Sequence, residues 1–195
     1  MQTRFLIITG MSGAGKTQVV RTLEDLKYFC IDNLPAALIP KFAELCRQTS
    51  ESNVALVVDV RGGQFFDKLL QVLDEIKASG QKYELLFLDA DDATLVRRYK
   101  ETRRRHPLGD SETLLDNLAQ ERELLAPLLE KSTYIINTTD LNSSELKNRV
   151  RELFSTDNER ERMGIVVRSF GFKYGLPLDS DLVLDVRFLP NPFYV

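Results

Sequence analysis

The sequence predicts an α/β fold: a parallel five-stranded sheet with helices on both faces, followed by the start of a second domain. Two observations carry this. Five short apolar runs alternate with segments of helical spacing, a pattern that places parallel strands under crossover helices. Three of those runs lead into a carboxylate, Asp32, Asp59 or Asp89, at the strand ends beyond which such sheets hold their ligands.

The elements follow in order. Arg4 to Thr9 is a continuous apolar run rich in β-branched residues, as expected of a strand buried on both faces. A Gly-rich turn leads into Thr17–Lys27, where Val19, Val20, Leu23 and Leu26 have helical spacing. Tyr28–Ile31 is the second strand and ends at Asp32-Asn33-Leu34-Pro35. Pro35 suits a helix start, and Leu38–Cys46 continues it. Val54–Asp59 is the third strand, and Gly62-Gly63 turns the chain into a helix from Phe65 to Ala78. Glu84–Leu88 is the fourth strand. Asp92–Arg105 reads as a helix running into a basic loop, broken by Pro107, Gly109 and Asp110. Ser111–Leu114 opens a helix that reaches Leu129, Tyr134–Asn137 is the fifth strand, and Asn142–Phe154 is the last helix of this part.

The first domain is therefore expected over 1–154, with a polar linker at 155–162. Residues 163–195 read as the beginning of a second domain, cut short, with strands at Gly164–Phe170 and Leu182–Val186. About 33 residues are too few to hold a core of their own without staples.

Composition bounds the function. Hydrophobic residues make up 43% and charged residues 28%, ordinary values for a globular chain with a core. The net charge of −3 does not steer the whole molecule toward nucleic acid, so any anion site must be a local cluster. Cys30 and Cys46 form no CxxC pair and no signal peptide is evident, so a reduced, cytoplasmic setting is expected. The single histidine, His106, excludes a His-rich metal site. No apolar run approaches the ~20 residues of a membrane helix. A homo-oligomer is the expected assembly.

Gly10-Met11-Ser12-Gly13-Ala14-Gly15-Lys16-Thr17 fits the phosphate-binding pattern G-x-x-x-x-G-K-[ST]. This is the P-loop (Walker A) signature, and it makes the predicted fold that of a P-loop NTPase, nucleoside-kinase-like. The glycines let the backbone turn tightly and bring N–H groups to phosphate oxygens. The helix that follows points its positive end at the same anion. Lys16 reaches the outer phosphates of ATP or GTP, and the Thr17 hydroxyl ligates Mg²⁺.

Asp59, at the end of an apolar strand, is placed to hold Mg²⁺ with Thr17, directly or through water; it can equally cap the next turn. Asp32 could orient an acceptor hydroxyl or a water, or serve the turn before Pro35. Arg61 could bind an anionic second ligand or be an ordinary surface arginine. The densest charge feature is Arg97, Arg98, Lys100, Arg103, Arg104 and Arg105 against Glu101. Arginine forks suit phosphate oxygens, so Arg103 and Arg104 are candidate catalytic lid residues beside Lys16, Asp59 and Asp32. A solvated helix face and an RNA-backbone patch are the other readings. His106 reads as structural, beside Pro107. Asn137-Thr138-Thr139-Asp140 lacks the Lys of the guanine-reading N-K-x-D, so strict GTP specificity is not supported. That loop either packs on a base or caps the next helix through Asp140 or Asn142.

Together these residues resemble the RapZ/YvcJ family of bacterial nucleotide-binding and RNase adapter proteins. The resemblance rests on the 10–17 loop, Cys30–Pro35, Asp59-Val60-Arg61, Leu86–Asp91, Arg97-Arg98-Tyr99 and Thr102–Leu108. It continues through Ser169–Gly175 and Asp185–Pro192. It implies binding of ATP and GTP with weak hydrolysis. It also implies that Gly10–Thr17 is the ATP segment and that Asp59, Val60, Arg61 and Gly62 form a GTP segment. Some members link a small RNA to an RNase in the control of amino-sugar synthesis, an activity tied to a C-terminal domain. The expected function is thus a regulatory nucleotide-binding protein with weak ATPase or GTPase activity. A P-loop small-molecule kinase using the basic lid is the alternative, and an RNA-binding module is the third reading.

Overall fold

A computed structural model describes residues 4–48, 53–58, 63–80, 82–102, 106–109, 113–155, 165–171, 173 and 175–189. The chain divides into two compact units, 1–160 and 161–195.

The first unit is built on five strands: β1 (Arg4–Gly10), β2 (Phe29–Asp32), β3 (Asn53–Val57), β4 (Glu84–Asp89) and β5 (Tyr134–Asn137). All pairings are parallel, in the order β2-β3-β1-β4-β5. The helices are α1 (Lys16–Asp25), α2 (Ile39–Gln48), α3 (Gly63–Ala78), α4 (Asp92–Thr102), α5 (Leu114–Glu130) and α6 (Ser143–Phe154). A short 3-10 turn, Ala36–Leu38, precedes α2.

The connection from β1 to β2 runs one way across the sheet, and those into β3, β4 and β5 run the other way. Right-handed crossovers then place α1 on one face and α2, α3 and α5 on the opposite face. Burial agrees. Phe5 to Ile8, Val54 to Val57 and Leu85 to Leu88 are buried at every consecutive position, which requires cover on both faces. The predicted α/β architecture is the observed one. No helix among the described residues is long and apolar enough to cross a membrane.

Several boundaries differ from expectation, each for a local reason. The first helix begins at Lys16, because Gly15 with φ +106° supplies its entry. The second strand starts at Phe29 rather than Tyr28; the Tyr28 N–H instead closes the end of α1 on Leu23 O at 2.9 Å. Thr113 is the N-cap of α5 and accepts from Asp116 N at 3.2 Å. Asn142, not Asp140, caps α6 through a capping box with Glu145.

In the second unit the strands expected at 164–170 and 182–186 are not formed over the described residues. Val166, Val167, Leu182 and Leu184 are exposed. A strand is stabilised by its ladder partners, and a short apolar run does not supply one. Local pairs occur instead, such as Arg168 with Asp179 at 2.9 Å. Hydrogen bonds from the Arg187 side chain and backbone hold the Asp185 carboxyl down at about 2.

At the end of β1, Gly10 lies level with Leu88 of β4 at φ +134°. A Cβ there would fall 2.1 Å from Leu88 O and 2.5 Å from Leu88 N. Both are sheet backbone and cannot yield. Gly10→Ala is therefore expected to destabilise the first unit by ~3 kcal/mol or more. Urea unfolding would measure this, and a loss below ~1 kcal/mol would contradict the close approach.

Candidate phosphate-binding site

The sheet has its topological switch point between β1 and β3, whose following connections leave in opposite directions. The crevice beyond the carboxyl ends of these two strands is where such sheets bind ligands. The 10–17 loop closes one side of it. Past the end of β3, Val58 N donates to Ile8 O at 2.9 Å and keeps the chain against β1.

The loop has two halves. Its leading half is fastened into the protein: Met11 N donates to Leu88 O at 2.9 Å and Ala14 N to Met11 O at 3.0 Å. Ser12 gives both its N–H, at 3.1 Å, and its hydroxyl, at 2.6 Å, to the Glu121 carboxylate. The trailing half opens the helix. Gly13 and Gly15 have φ +89° and +106°, a region that L side chains resist. Gln18 N and Val19 N both turn back to Gly15 O. Backbone N–H groups at a helix start point outward along the axis, so the positive end of the α1 dipole lies at this loop. Lys16 Nζ lies over the loop, donating to Gly10 O at 2.6 Å and Met11 O at 3.2 Å. Thr17 is exposed in the first turn.

Glu121 itself is 2% exposed. Besides Ser12 it accepts from His106 Nε2 at 3.0 Å. Leu108 N donates to His106 Nδ1 at 3.2 Å, so Nδ1 carries the lone pair and Nε2 the hydrogen. His106 is structural, as its place beside Pro107 suggested, and its partner is a buried carboxylate.

The basic run does not behave as one unit. Arg97 and Lys100 are exposed, whereas Arg98 turns inward. Its guanidinium donates to Gly13 O at 3.2 Å, Thr138 Oγ1 at 2.9 Å and Thr138 O at 2.7 Å. Burial, and then the Arg97 charge, draws the Arg98 pKa below its usual value. Thr138 Oγ1 lies 3.0 Å from Ala14 O and 3.1 Å from Asp89 O. This hydroxyl thus ties β5 to the loop and to β4. Arg103, Arg104 and Arg105 lie outside the described residues, as do Asp59, Val60, Arg61 and Gly62.

The remaining strand-end carboxylates separate. Asp32 is exposed on edge strand β2, paired with Val57. It is two strand spacings from β1, ~10 Å. Asp89 is engaged by Arg122 at 2.9 and 3.1 Å, and the same guanidinium reaches Asp92 at 2.8 Å. Asp91 N donates to Thr139 Oγ1 at 2.9 Å and its carboxylate takes Thr94 N at 2.6 Å. Burial, reinforced by the Glu24 charge, pushes the Cys30 thiol up to about 12.

Sequence reasoning missed Glu121, Arg122 and the role of Thr138. A signal existed for the first. Leu118, Glu121, Leu125 and Leu128 fall on one buried face of α5, and a carboxylate at an apolar helical position requires a partner.

These features define a P-loop protein: a parallel sheet in the order β2-β3-β1-β4-β5 with a glycine-rich loop opening α1 at its switch point. Within that class the chain belongs to the RapZ family. Residues 3–158 match the RapZ-like N-terminal domain, and residues 163–195 match the RapZ C-terminal domain. A relative from Clostridium botulinum, named a nucleotide-binding protein, is 53% identical over 98% of this chain and 66% of its own length. One from Desulforamulus reducens, of the same name, is 55% identical over 98% of this chain and 65% of its own. The chain thus spans just under two thirds of these relatives. Among solved structures, shikimate kinase from Bacteroides thetaiotaomicron is similar with TM-score 0.53 and 21% identity, over 77% of this chain and 97% of its own. The tunicamycin resistance protein of Deinococcus radiodurans is similar with TM-score 0.54 and 15% identity, over 80% and 98%. At such identities the likeness is one of fold.

Thr138→Val keeps the side-chain shape and removes the hydroxyl shared among Arg98, Ala14 and Asp89. It is expected to lower stability by ~1–3 kcal/mol, since buried polar partners lose a bond. Chemical denaturation that shows no change would contradict the assigned role.

Proposed function

We propose that this protein binds ATP and GTP with Mg²⁺ at the Gly10–Thr17 loop, hydrolyses them slowly, and serves a regulatory role. One observation carries the reading. At the switch point of the sheet, two glycines at positive φ, Gly13 and Gly15, lead straight into an uncapped helix N-terminus bearing Lys16 and Thr17. Such a terminus attracts anions through its outward-pointing N–H groups and its dipole. Phosphate oxygens would be held by the amides of the trailing half, with the Lys16 ammonium beside them.

The donor set also fits Mg²⁺, a hard cation that prefers oxygen ligands. The Thr17 hydroxyl is exposed at the helix start, and Asp59 follows Val58, which is fastened to β1. Thr17 and Asp59 would hold the ion, which neutralises charge on the outer phosphates when bound. In this reading Val60, Arg61 and Gly62 would contribute to nucleotide binding with Asp59, and Arg103 and Arg104 would act as cationic lid residues.

Two features support slow turnover. Phosphoryl transfer to water depends on a group that orients the water. Glu121 is committed to Ser12 and His106, and Asp89 to Arg122. Asn137–Asp140 lacks the guanine-reading lysine, which supports binding that is not restricted to GTP. The names of the relatives support nucleotide binding. Membership of the RapZ family supports the adapter role, with small-RNA control of amino-sugar metabolism as its setting. In this reading 1–154 is the nucleotide unit, 155–162 a linker, and 163–195 the beginning of the C-terminal domain.

The exposed Asp32 carboxylate at the end of β2 favours a second reading, phosphoryl transfer to a small hydroxylated acceptor. Acceptor-dependent ADP release, lost in Asp32→Asn, would establish it.

For the main reading, Lys16→Ala is expected to weaken binding of MgATP and MgGTP at least ~100-fold, about 2.7 kcal/mol. Calorimetry on the folded variant measures this, and unchanged affinity would refute the assignment.

A further inference from the structure

The network behind the phosphate loop has no counterpart in the P-loop pattern itself. Ser12 occupies a variable position of that pattern, yet its amide and hydroxyl both end on one carboxylate. That carboxylate sits on α5, 109 residues further along the chain. It is almost fully buried, and so are Ser12 at 6% exposed and His106 at 7%. Tyr99 closes the other side, with its ring centroid 5.4 Å from that of His106. A Cβ at Gly13 would lie 3.5 Å from the same Tyr99 ring.

A buried carboxylate is costly unless donors surround it. Here three neutral donors do so: Ser12 N–H, Ser12 O–H and His106 Nε2–H. The direction of each bond is fixed. Because Leu108 N occupies His106 Nδ1, the ring can offer only Nε2–H. Because Glu121 accepts only, Ser12 must donate with both groups. Every member is defined by its neighbour, which makes the arrangement rigid. The Ser12 amide is thereby directed into the protein and away from the crevice, and the loop is held where Gly13 begins its left-handed turn.

We infer that Glu121 is a positioning residue for phosphate binding, oriented in turn by His106. This rests on the nucleotide-binding reading above. Glu121 braces the leading half of the loop so that the trailing amides face the ligand together. Ser12, expected among the direct phosphate contacts, belongs to the brace.

The test uses the full 195-residue chain and four variants: Glu121→Gln, His106→Leu, His106→Gln and the double variant Glu121→Gln/His106→Leu. Glu121→Gln offers an amide to the His106 donor and so cannot satisfy all three partners. His106→Gln can still donate with its amide nitrogen and accept with its oxygen, whereas His106→Leu can do neither. The inference predicts that Glu121→Gln and His106→Leu each weaken MgATP binding about tenfold. His106→Gln should stay within about threefold of the parent, and the double variant should be no worse than about twofold beyond either single one. A merely structural role would lower the melting temperature and leave the affinity of the folded fraction alone.

Hydrogen exchange at the Ser12 amide gives a readout that needs no nucleotide. It should be protected in the parent and exchange about tenfold faster in His106→Leu. Parental affinity in both folded Glu121→Gln and His106→Leu would overturn the inference. Should Glu121→Gln fail to fold, equal affinity in His106→Leu and His106→Gln would overturn it. A parent chain that binds no nucleotide would refute the earlier reading instead. In that event unchanged Ser12 exchange in His106→Leu would overturn the brace as well.

Discussion

The site depends on the close approach of β1 and β4 where Gly10 lies against the backbone of Leu88. No side chain fits between them. The chain leaves β1 pressed against its neighbour, and the next amide, Met11 N, is captured by Leu88 O. From there only a sharp reversal is available, and Gly13 and Gly15 provide it at positive φ. The end of that reversal is the first turn of α1. A packing constraint between two strands thus decides where a helix dipole points, and with it where an anion is attracted.

The surroundings share a second theme. Polar groups around the crevice are engaged in holding the loop and its neighbours. Arg98 reads as one of a run of cations, yet it binds the Gly13 carbonyl and both oxygens of Thr138. Arg122 takes the strand-end carboxylate of Asp89. Glu121 takes Ser12 and His106. In the proposed reading this bracing goes with slow turnover, because the carboxylates of these pairs are already engaged and do not orient an attacking water.

The fold was legible because its signals are local. Apolar runs such as Phe5–Ile8 and Leu85–Leu88 mark strands buried on both faces, and the glycine spacing of residues 10–17 marks the phosphate loop. What stayed hidden depends on distant partners. The helical position of Glu121 calls for a partner, but only the fold shows that its partners are Ser12 and His106. Asp89 and Asp32 look equivalent in sequence, each ending a strand. The strand order separates them, leaving one beside Arg122 and the other on the sheet edge. The runs at 164–170 and 182–186 are rich in β-branched and apolar residues, but such composition does not supply a pairing edge.

The most direct measurement is an amide chemical-shift titration of the chain with Mg²⁺ and a non-hydrolysable ATP or GTP analogue. Saturable shifts concentrated at the Gly15, Lys16 and Thr17 amides, with smaller ones at Ser12, are the predicted result. Saturation that leaves these amides unmoved while shifts gather elsewhere in the sheet would contradict the account.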